Sequence, residues 1–168
     1  MRIFKTYVVP ALIVLGILAV DQISKFLAVQ NLPYREEVPV IDGVFSLFYL
    51  RNEGMAFGLL QGQRWLFIGL TVLILAFLVY FYTTLPQNKV GRAYRFSILV
   101  LIGGALGNFV DRLFQGQVVD FFLITAINFP WVFNVADIFV VTSVAAMAVL
   151  TFFLKEEDLK KWKFKKNA

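Results

Sequence analysis

The sequence predicts an all-α membrane protein with four transmembrane helices, a small extracytoplasmic β-rich segment and a short interfacial helix. Hydrophobic residues fill 60% of its 168 positions and the mean hydropathy is +0.75, whereas soluble domains are about 45–50% apolar. Only 16% of the residues are charged, which is too few to cover a water-soluble core. Four long apolar runs divide the chain. We therefore interpret residues 1–168 as a single integral membrane domain.

The four apolar runs are long enough to cross a bilayer as helices. Residues 65–85 contain no charge over 21 positions, and about 20 apolar residues suffice to span the hydrocarbon core. The other predicted spans, which each have a polar end, are residues 7–29, 94–114 and 129–154. Arg2, Lys5 and the first run also resemble a secretory signal peptide, but no A-x-A-like cleavage site closes the run. We expect the first span to be retained.

The basic residues predict the orientation of the chain. Eleven of the 16 Lys and Arg residues precede span one, separate spans two and three, or follow span four, and residues 115–128 contain none. By the positive-inside rule both termini are cytoplasmic. The basic C-terminal tail also contains acidic residues, so we interpret it as an anchor at membrane lipid headgroups rather than a nucleic-acid site.

Residues 33–62 form an outer segment with β character. Its β-branched and aromatic residues are interrupted at Asp42-Gly43, which is typical of a hairpin. Residues 52–60 contain Gly54 and Gly58 and predict a loop followed by a short interfacial helix. We interpret residues 52–60 as a clamp over a site, with a simple surface anchor as the alternative.

The polar residues of the spans converge on the outer third of the bilayer. Counted from the inner side, Asp21 lies about 21 Å along span one, and Asn108 and Asp111 lie about 18 and 22 Å along span three. Asp137 lies about 9 Å below the outer edge in span four, and Asp120 follows span three in a short outer loop. An Asp within a span costs about 2.5–3.5 kcal/mol. A shared polar site would compensate for this cost.

Some of these residues also have a purely structural interpretation. Gly103 and Gly107 form a small-xxx-small pair that allows a neighbouring helix to approach closely. Two pairs of oppositely charged residues could be structural ion pairs at helix ends, namely Asp21 with Lys25 and Asp111 with Arg112. The side-chain amides of Asn108 and Asn134 could join helices by hydrogen bonds.

Asp120 and Asp137 predict acid–base chemistry, because no Lys or Arg lies near either in the sequence. Two such carboxylates in a low-dielectric site share a proton. The ionised Asp then deprotonates a water that attacks a peptide carbonyl, while the protonated Asp polarises the carbonyl and protonates the leaving amine. A proton relay remains equally open. The chain has no His and no Cys, which excludes Ser-His-Asp triads and thiol nucleophiles, and we expect no metal and no cofactor.

Five ordered motifs resemble those of the lipoprotein signal peptidase (signal peptidase II) family: Asp21-Gln-Ile-Ser-Lys25, Arg51-Asn-Glu-Gly-Met-Ala-Phe-Gly58, Gly103-Gly-Ala-Leu-Gly-Asn-Phe-Val-Asp-Arg112, Val118-Val-Asp-Phe121 and Phe133-Asn-Val-Ala-Asp137. The resemblance covers nearly the whole chain. It implies an intramembrane aspartic endopeptidase that cleaves diacylglyceryl-modified prolipoproteins before the lipidated Cys. The reaction would occur at the outer face of the bacterial cytoplasmic membrane. We expect a monomer.

The resemblance also implies roles for individual residues. The catalytic pair falls on Asp120 and Asp137. The supporting positions that it implies are Asn52, Asn108, Arg112 and Asn134, and the structural polar positions are Asp21, Lys25 and Asp111. From the expected clamp we add Gly54 and Phe57 as substrate-binding residues. Glu53 and Met55 depart from the smaller residues that the family often has, which concerns the substrate contacts of the loop.

The alternative to an enzyme is a small oligomeric proton- or cation-coupled transporter subunit. Its carboxylates within the membrane would bind cations. A carboxylate pair near one surface argues against this alternative, because a transporter needs access from both sides.

Overall fold

The computed structural model describes residues 7–54, 61–126 and 131–152. Its elements, in chain order, are α1 (Val9–Asn31), β1 (Glu37–Ile41), β2 (Phe45–Asn52), α2 (Arg64–Thr84), α3 (Lys89–Gln115), β3 (Val118–Ile124), β4 (Trp131–Phe133) and α4 (Val135–Phe152). All four helices are long and apolar enough to cross a membrane. The expected four helices and the small sheet are therefore present. The interfacial helix expected within residues 52–60 falls largely outside the described residues.

The helices bear large apolar side chains on their outer surfaces. Leu73 and Phe77 on α2, for example, are 68% and 61% exposed. Such a surface suits hydrocarbon, in which a helix satisfies its own backbone hydrogen bonds. The apolar composition of the chain thus serves contact with lipid as well as the protein core.

The third span is longer than expected. It begins at Lys89 rather than near residue 94, because the side chain of Asn88 accepts a hydrogen bond from the Gly91 N–H at 2.8 Å and caps the helix. The basic residues Arg92 and Arg95 therefore lie in the first turns of α3 and not in a connecting loop. The helix ends at Gln115, and the C-cap residue Gly116 adopts a left-handed conformation with φ 76°.

The fourth span begins later than expected. Trp131–Phe133 is a strand, and α4 starts only at Val135. The depth of about 9 Å expected for Asp137 from a helix starting near Trp131 is therefore wrong. Asp137 lies in the first turn of α4, where the helix meets the sheet.

The sheet is antiparallel with the strand order β1-β2-β3-β4. The expected hairpin is present between β1 and β2, with Gly43 at φ 68° in its turn. The short outer loop expected after span three is wrong, because residues Val118–Ile124 form β3 and pair with β2. This pairing satisfies backbone polar groups next to the membrane-spanning helices. The outer segment and the connection between α3 and α4 thus form one sheet.

Helix α3 is the centre of the bundle and contacts α1, α2 and α4. Small residues allow these contacts: a Cβ on Gly103 would lie 2.6 Å from Cγ2 of Ile17, and a Cβ on Gly104 would lie 2.7 Å from the Ala136 carbonyl oxygen. A Cβ on Gly107 would collide with the Asp21 carboxylate. The close helix packing expected at Gly103 and Gly107 is therefore confirmed, and it brings the polar positions of three helices together.

Candidate active site

A cavity of about 180 Å³ lies where the sheet meets α3 and α4. Its apolar walls include Trp131, Val140 and Val141. Its polar lining contains five side chains that the sequence singles out, from β2, α3, β3 and α4: Asn52, Asn108, Arg112, Asp120 and Asp137. The fold thus gathers residues that are 85 positions apart in the chain around one small space.

Asp120 is held in the middle of the sheet. Its strand β3 pairs with β2, where Leu50 lies opposite Asp120, so Asn52 follows two residues further along. The Asn52 amide donates a hydrogen bond to Oδ2 of Asp120 at 2.9 Å, and the Asn134 amide donates one to Oδ1 at 2.6 Å. Burial, reinforced by the nearby charge of Asp137, raises the pKa of Asp120 to about 7. This carboxyl group therefore binds a proton reversibly near neutral pH.

Asp137 belongs to a capping box at the start of α4. Its Oδ2 accepts a hydrogen bond from the backbone N–H of Asn134 at 3.1 Å, and its own N–H donates to Oδ1 of Asn134 at 3.0 Å. Oδ1 of Asp137 accepts a hydrogen bond from the Asn108 amide at 2.8 Å. Each oxygen of this carboxylate thus has one N–H donor.

Asn134 links the two carboxylates. It is completely buried, and because its Oδ1 accepts from the Asp137 N–H, its amide nitrogen must point away from that helix. That nitrogen donates to Asp120 and, at 3.1 Å, to Oδ1 of Asn108. Asn134 and Asn108 therefore form an amide bridge between Asp120 and Asp137.

A second polar cluster lies beside the first and contains charged pairs. The Lys25 ammonium lies 2.8 Å from Oδ2 of Asp21 and 2.9 Å from Oδ2 of Asp111, and all three side chains are nearly inaccessible. The expected pair of Asp21 and Lys25 is confirmed. The alternative pairing of Asp111 with Arg112 is wrong, because Asp111 projects toward α1.

Arg112 contacts Gly54, near the start of residues 52–60, instead of Asp111. Its guanidinium donates to the Gly54 carbonyl at 3.1 Å and lies 4.8 Å from the centre of the Phe67 ring. The Gly54 N–H in turn donates to Oδ1 of Asn52 at 3.0 Å. Arg112 therefore connects α3 to the segment that orients the Asn52 amide toward Asp120.

The described part of the chain contains every site residue expected from the sequence except Phe57, which, like Met55, lies outside it. The sequence interpretation did not single out Gln22, whose amide donates to Oδ1 of Asp111 at 3.0 Å and to the Gly107 carbonyl at 3.2 Å. An amide beside Asp21 at the polar end of a span was the available signal. No group of three His, Cys, Asp or Glu residues suited to a metal ion occurs within residues 7–54, 61–126 and 131–152.

Comparison with known proteins gives one consistent family. The family model for "Signal peptidase (SPase) II" matches residues 13–153. The lipoprotein signal peptidase of Halalkalibacterium halodurans is 39% identical over 160 residues, which cover 94% of this chain and 97% of that protein. The lipoprotein signal peptidase of Streptococcus pyogenes is 37% identical over 142 residues, which cover 84% of this chain and 90% of that protein.

The fold also has a close counterpart among solved structures. A structure described as "Bacterial membrane enzyme structure by the in meso method at 2.3 A resolution" superposes with a TM-score of 0.76 at 28% sequence identity. The superposition covers 97% of this chain and 96% of the other. The arrangement of helices and sheet is therefore shared with a bacterial membrane enzyme.

Proposed function

The chain belongs to the signal peptidase II family and removes signal peptides from prolipoproteins, and on this premise we propose that it does so as an aspartic endopeptidase within the membrane. Family membership decides between the protease and transporter interpretations in favour of the protease. The protein is a bacterial multi-pass membrane enzyme. We propose Asp120 and Asp137 as its catalytic pair.

One observation carries this proposal: two carboxylates from different elements line the same cavity and are joined by amides rather than by cations. The ion pairs among the described residues are those of Lys25 with Asp21 and with Asp111, so neither Asp120 nor Asp137 forms one there. Amide donors orient a carboxylate without neutralising it. The pair is therefore free to hold and exchange one proton.

The environments of the two carboxyl groups suggest which one carries that proton. Burial raises the pKa of Asp120 to about 7, which favours a protonated Asp120 in the resting enzyme. Asp137 lies in the first turn of α4, and the N-terminus of a helix stabilises a negative charge. We assign Asp120 as the general acid and Asp137 as the general base.

The proposed reaction balances without a cofactor. Asp137 takes a proton from a water molecule, whose oxygen attacks the carbonyl carbon of the scissile peptide, while Asp120 transfers its proton to the carbonyl oxygen. When the carbon–nitrogen bond breaks, Asp137 gives its proton to the leaving amine. The hydroxyl proton of the intermediate then returns to Asp120. Both carboxyl groups end in their starting states.

We propose an orientation of the chain from the charges at the two ends of the bundle. The sheet and the cavity adjoin the C-terminal end of α3 and the start of α4, whereas Lys89, Arg92 and Arg95 occupy the opposite end of α3. Basic residues favour the cytoplasmic side. This supports cytoplasmic termini and an active site at the outer face, where cleavage before a lipidated Cys would occur. Residues of one chain suffice to line the cavity, so the proposed reaction requires no second copy, and we propose a monomeric enzyme.

The outer loop is a candidate clamp for the substrate. Gln117 donates a hydrogen bond to Glu53 at 2.7 Å, and Arg112 binds the Gly54 carbonyl, so the start of residues 52–60 is fastened above the cavity. Spin labels at positions 53 and 117 should report a shorter or narrower distance distribution when a substrate-like inhibitor binds. Phe57→Asp should lower turnover of lipidated substrate. Unchanged distances with parent-like turnover would reduce this segment to an anchor.

The decisive experiment replaces each carboxylate by its amide. Asp120→Asn and Asp137→Asn should each reduce cleavage of a lipidated prolipoprotein by at least about 100-fold, because general acid–base catalysis contributes about 10²–10⁴-fold. Purified enzyme and substrate in detergent micelles, resolved by gel shift, provide the measurement.

Asp42→Asn is the matched control. It changes the same chemical group on an exposed hairpin turn of the same outer sheet, remote from the cavity lining. The control should cleave like the parent. Cleavage above about one percent of the parent in either active-site variant would sink the assignment.

A further inference from the structure

We propose that Lys25 is a positioning residue for the reaction, and that it acts by fixing the side-chain amide of Asn108 so that its N–H faces Asp137. This inference rests on the proposed role of Asp137. It assigns a contribution to turnover to a side chain that lies behind the cavity and outside its lining.

The first step is the hydrogen-bond geometry of the Lys25 ammonium group. An ammonium carries three hydrogens and cannot accept a hydrogen bond. Those of Lys25 have three oxygen partners: Oδ2 of Asp21 at 2.8 Å, Oδ2 of Asp111 at 2.9 Å and Oδ1 of Asn108 at 3.0 Å. Because only 3% of the residue is exposed, little bulk water competes for them. The number of donors therefore matches the number of acceptors.

The second step is the consequence for Asn108. Since Lys25 can only donate, the carbonyl oxygen of the Asn108 amide must face it, and the NH₂ group must face the opposite way. There it donates to Oδ1 of Asp137 at 2.8 Å. A rotated amide would present an oxygen to the carboxylate and repel it. Lys25 thus determines which atom Asp137 meets.

Asn134 contributes to the same orientation, but more weakly. Its amide donates to Oδ1 of Asn108 at 3.1 Å and is shared with Asp120. A hydrogen bond from a charged donor is about twice as strong as one between neutral groups. The ammonium group is therefore the dominant restraint on the Asn108 amide.

The third step is that the carboxylates around Lys25 hold the backbone next to each proposed catalytic residue. Oδ1 of Asp21 accepts from the N–H of Ala136, directly before Asp137, at 2.9 Å. Oδ2 of Asp111 accepts from the N–H of Val119, directly before Asp120, at 3.3 Å. The cluster therefore supports both sides of the pair, and a test must separate this backbone support from the effect through Asn108.

A double-mutant cycle makes this separation. Lys25→Met alone leaves two buried carboxylates unpaired and threatens folding, so it is combined with Asp111→Asn, which restores the net charge of the cluster. The matched control is Asp111→Asn alone, which retains Lys25 with its bonds to Asp21 and Asn108. Both proteins are made with and without Asn108→Ala. The full-length enzyme is assayed in micelles for kcat, KM and Tm.

The expected result is non-additivity in kcat. With Asn108 present, loss of Lys25 should lower kcat about tenfold without changing KM, because a small misplacement of a catalytic group slows the reaction. In the Asn108→Ala background the same loss should change kcat by less than about twofold, since the group through which Lys25 acts is gone. If the Lys25→Met proteins do not fold, Lys25→Gln replaces it in the same cycle.

The proposal would be overturned if replacing Lys25 changed kcat equally with Asn108 and with Asn108→Ala. It would also be overturned if the charge-matched variant Lys25→Met/Asp111→Asn had the kcat of the parent. Either result would limit Lys25 to supporting the fold. These outcomes are distinct from failure of the proposed function, because all proteins of the cycle retain Asp120 and Asp137. A catalytic pair elsewhere would be revealed by active Asp120→Asn and Asp137→Asn enzymes instead.

Discussion

Two clusters of carboxylates meet at Asn108 and differ in what surrounds them. In the ionic cluster, Asp21 and Asp111 contact the ammonium of Lys25. In the amide-bounded cluster, Asp120 and Asp137 contact Asn side chains and the backbone N–H of Asn134. All four carboxylates are Asp in or beside the same membrane-spanning bundle. Their partners, and not their residue type, distinguish them.

This difference separates support from chemistry. A buried ion pair holds its members in one charge state, since losing one partner leaves an uncompensated charge. Amide donors orient a carboxylate without forming an ion pair with it, and burial raises the pKa of Asp120 to about 7. Of the two clusters, only the amide-bounded one has carboxylates that line the cavity. The ionic cluster is suited to hold it in place.

The largest expected effect tests whether the amide-bounded carboxylates act as a unit. The activity of the double variant Asp120→Asn/Asp137→Asn should lie within about threefold of that of the less active single variant. The reason is that the losses caused by removing catalytic groups that act together are strongly non-additive. Cleavage of lipidated prolipoprotein by the two single variants and the double variant gives the comparison. If the two single losses multiplied in the double variant, the carboxylates would act independently, and the shared-proton mechanism would be wrong.

The next effect comes from pushing the two clusters apart. Gly104→Ala places a Cβ 2.7 Å from the backbone oxygen of Ala136, so α4 must move away from α3. Overpacking costs about 1–3 kcal/mol, and we expect a lower Tm and about a tenfold loss of kcat. Gly69→Ala in α2 is the control, because a Cβ there meets no atom within 4 Å. Parent-like kcat in Gly104→Ala would show that the pair tolerates displacement of α4.

Much of the fold could be predicted because the signals are local. Apolar run lengths identify the four spans, and Asp42-Gly43 identifies the hairpin. Counting along α1 and α3 places Asp21, Asn108 and Asp111 at similar depths, but the depth counted for Asp137 was wrong because α4 begins only at Val135. Strand β3 could not be identified in this way. Its residues become a strand by pairing with β2, which lies some 70 positions earlier in the sequence and across α2 and α3. Such pairing depends on the tertiary fold.

The residues of the candidate site were predictable, but their contacts were predictable only in part. Asn108 and Asp111 are three residues apart on α3, yet Asn108 contacts Asp137 while Asp111 contacts Lys25. Which neighbour each meets depends on the rotation of α3 against α1 and α4, and depth alone does not specify rotation. For the same reason Arg112, adjacent to Asp111 in sequence, binds Gly54 instead of that carboxylate.

A smaller effect tests the role of amide donors through the pH profile. Asn52 donates to Asp120 and lowers its pKa against the raising effect of burial. Asn52→Ala should therefore raise the pKa of Asp120. Because the general acid must be protonated, kcat/KM falls as pH rises through this pKa, and the alkaline limb should move to higher pH. Activity near pH 7 should change only a few-fold.

The control for this profile is Asn31→Ala, which removes an exposed amide that bonds only within α1. Its pH profile should coincide with that of the parent. An unchanged alkaline limb in Asn52→Ala would mean that the limb reports a group other than Asp120. An acidic limb displaced to higher pH would instead reverse the assigned acid and base.

The smallest expected effect is that of chelators, and it tests whether the amide-bounded cluster is complete as it stands. Each oxygen of Asp120 and Asp137 already accepts a hydrogen bond from an N–H group, and hard cations such as Mg²⁺ would have to share those oxygens with the donors. We expect the rate of prolipoprotein cleavage to be the same with and without EDTA, measured beside a metal-dependent protease in the same micelles. Loss of activity that Mg²⁺ or Ca²⁺ restores would make the carboxylates metal ligands. The two clusters would then differ only in the cation that their carboxylates bind: Lys25 for Asp21 and Asp111, and a metal ion for Asp120 and Asp137.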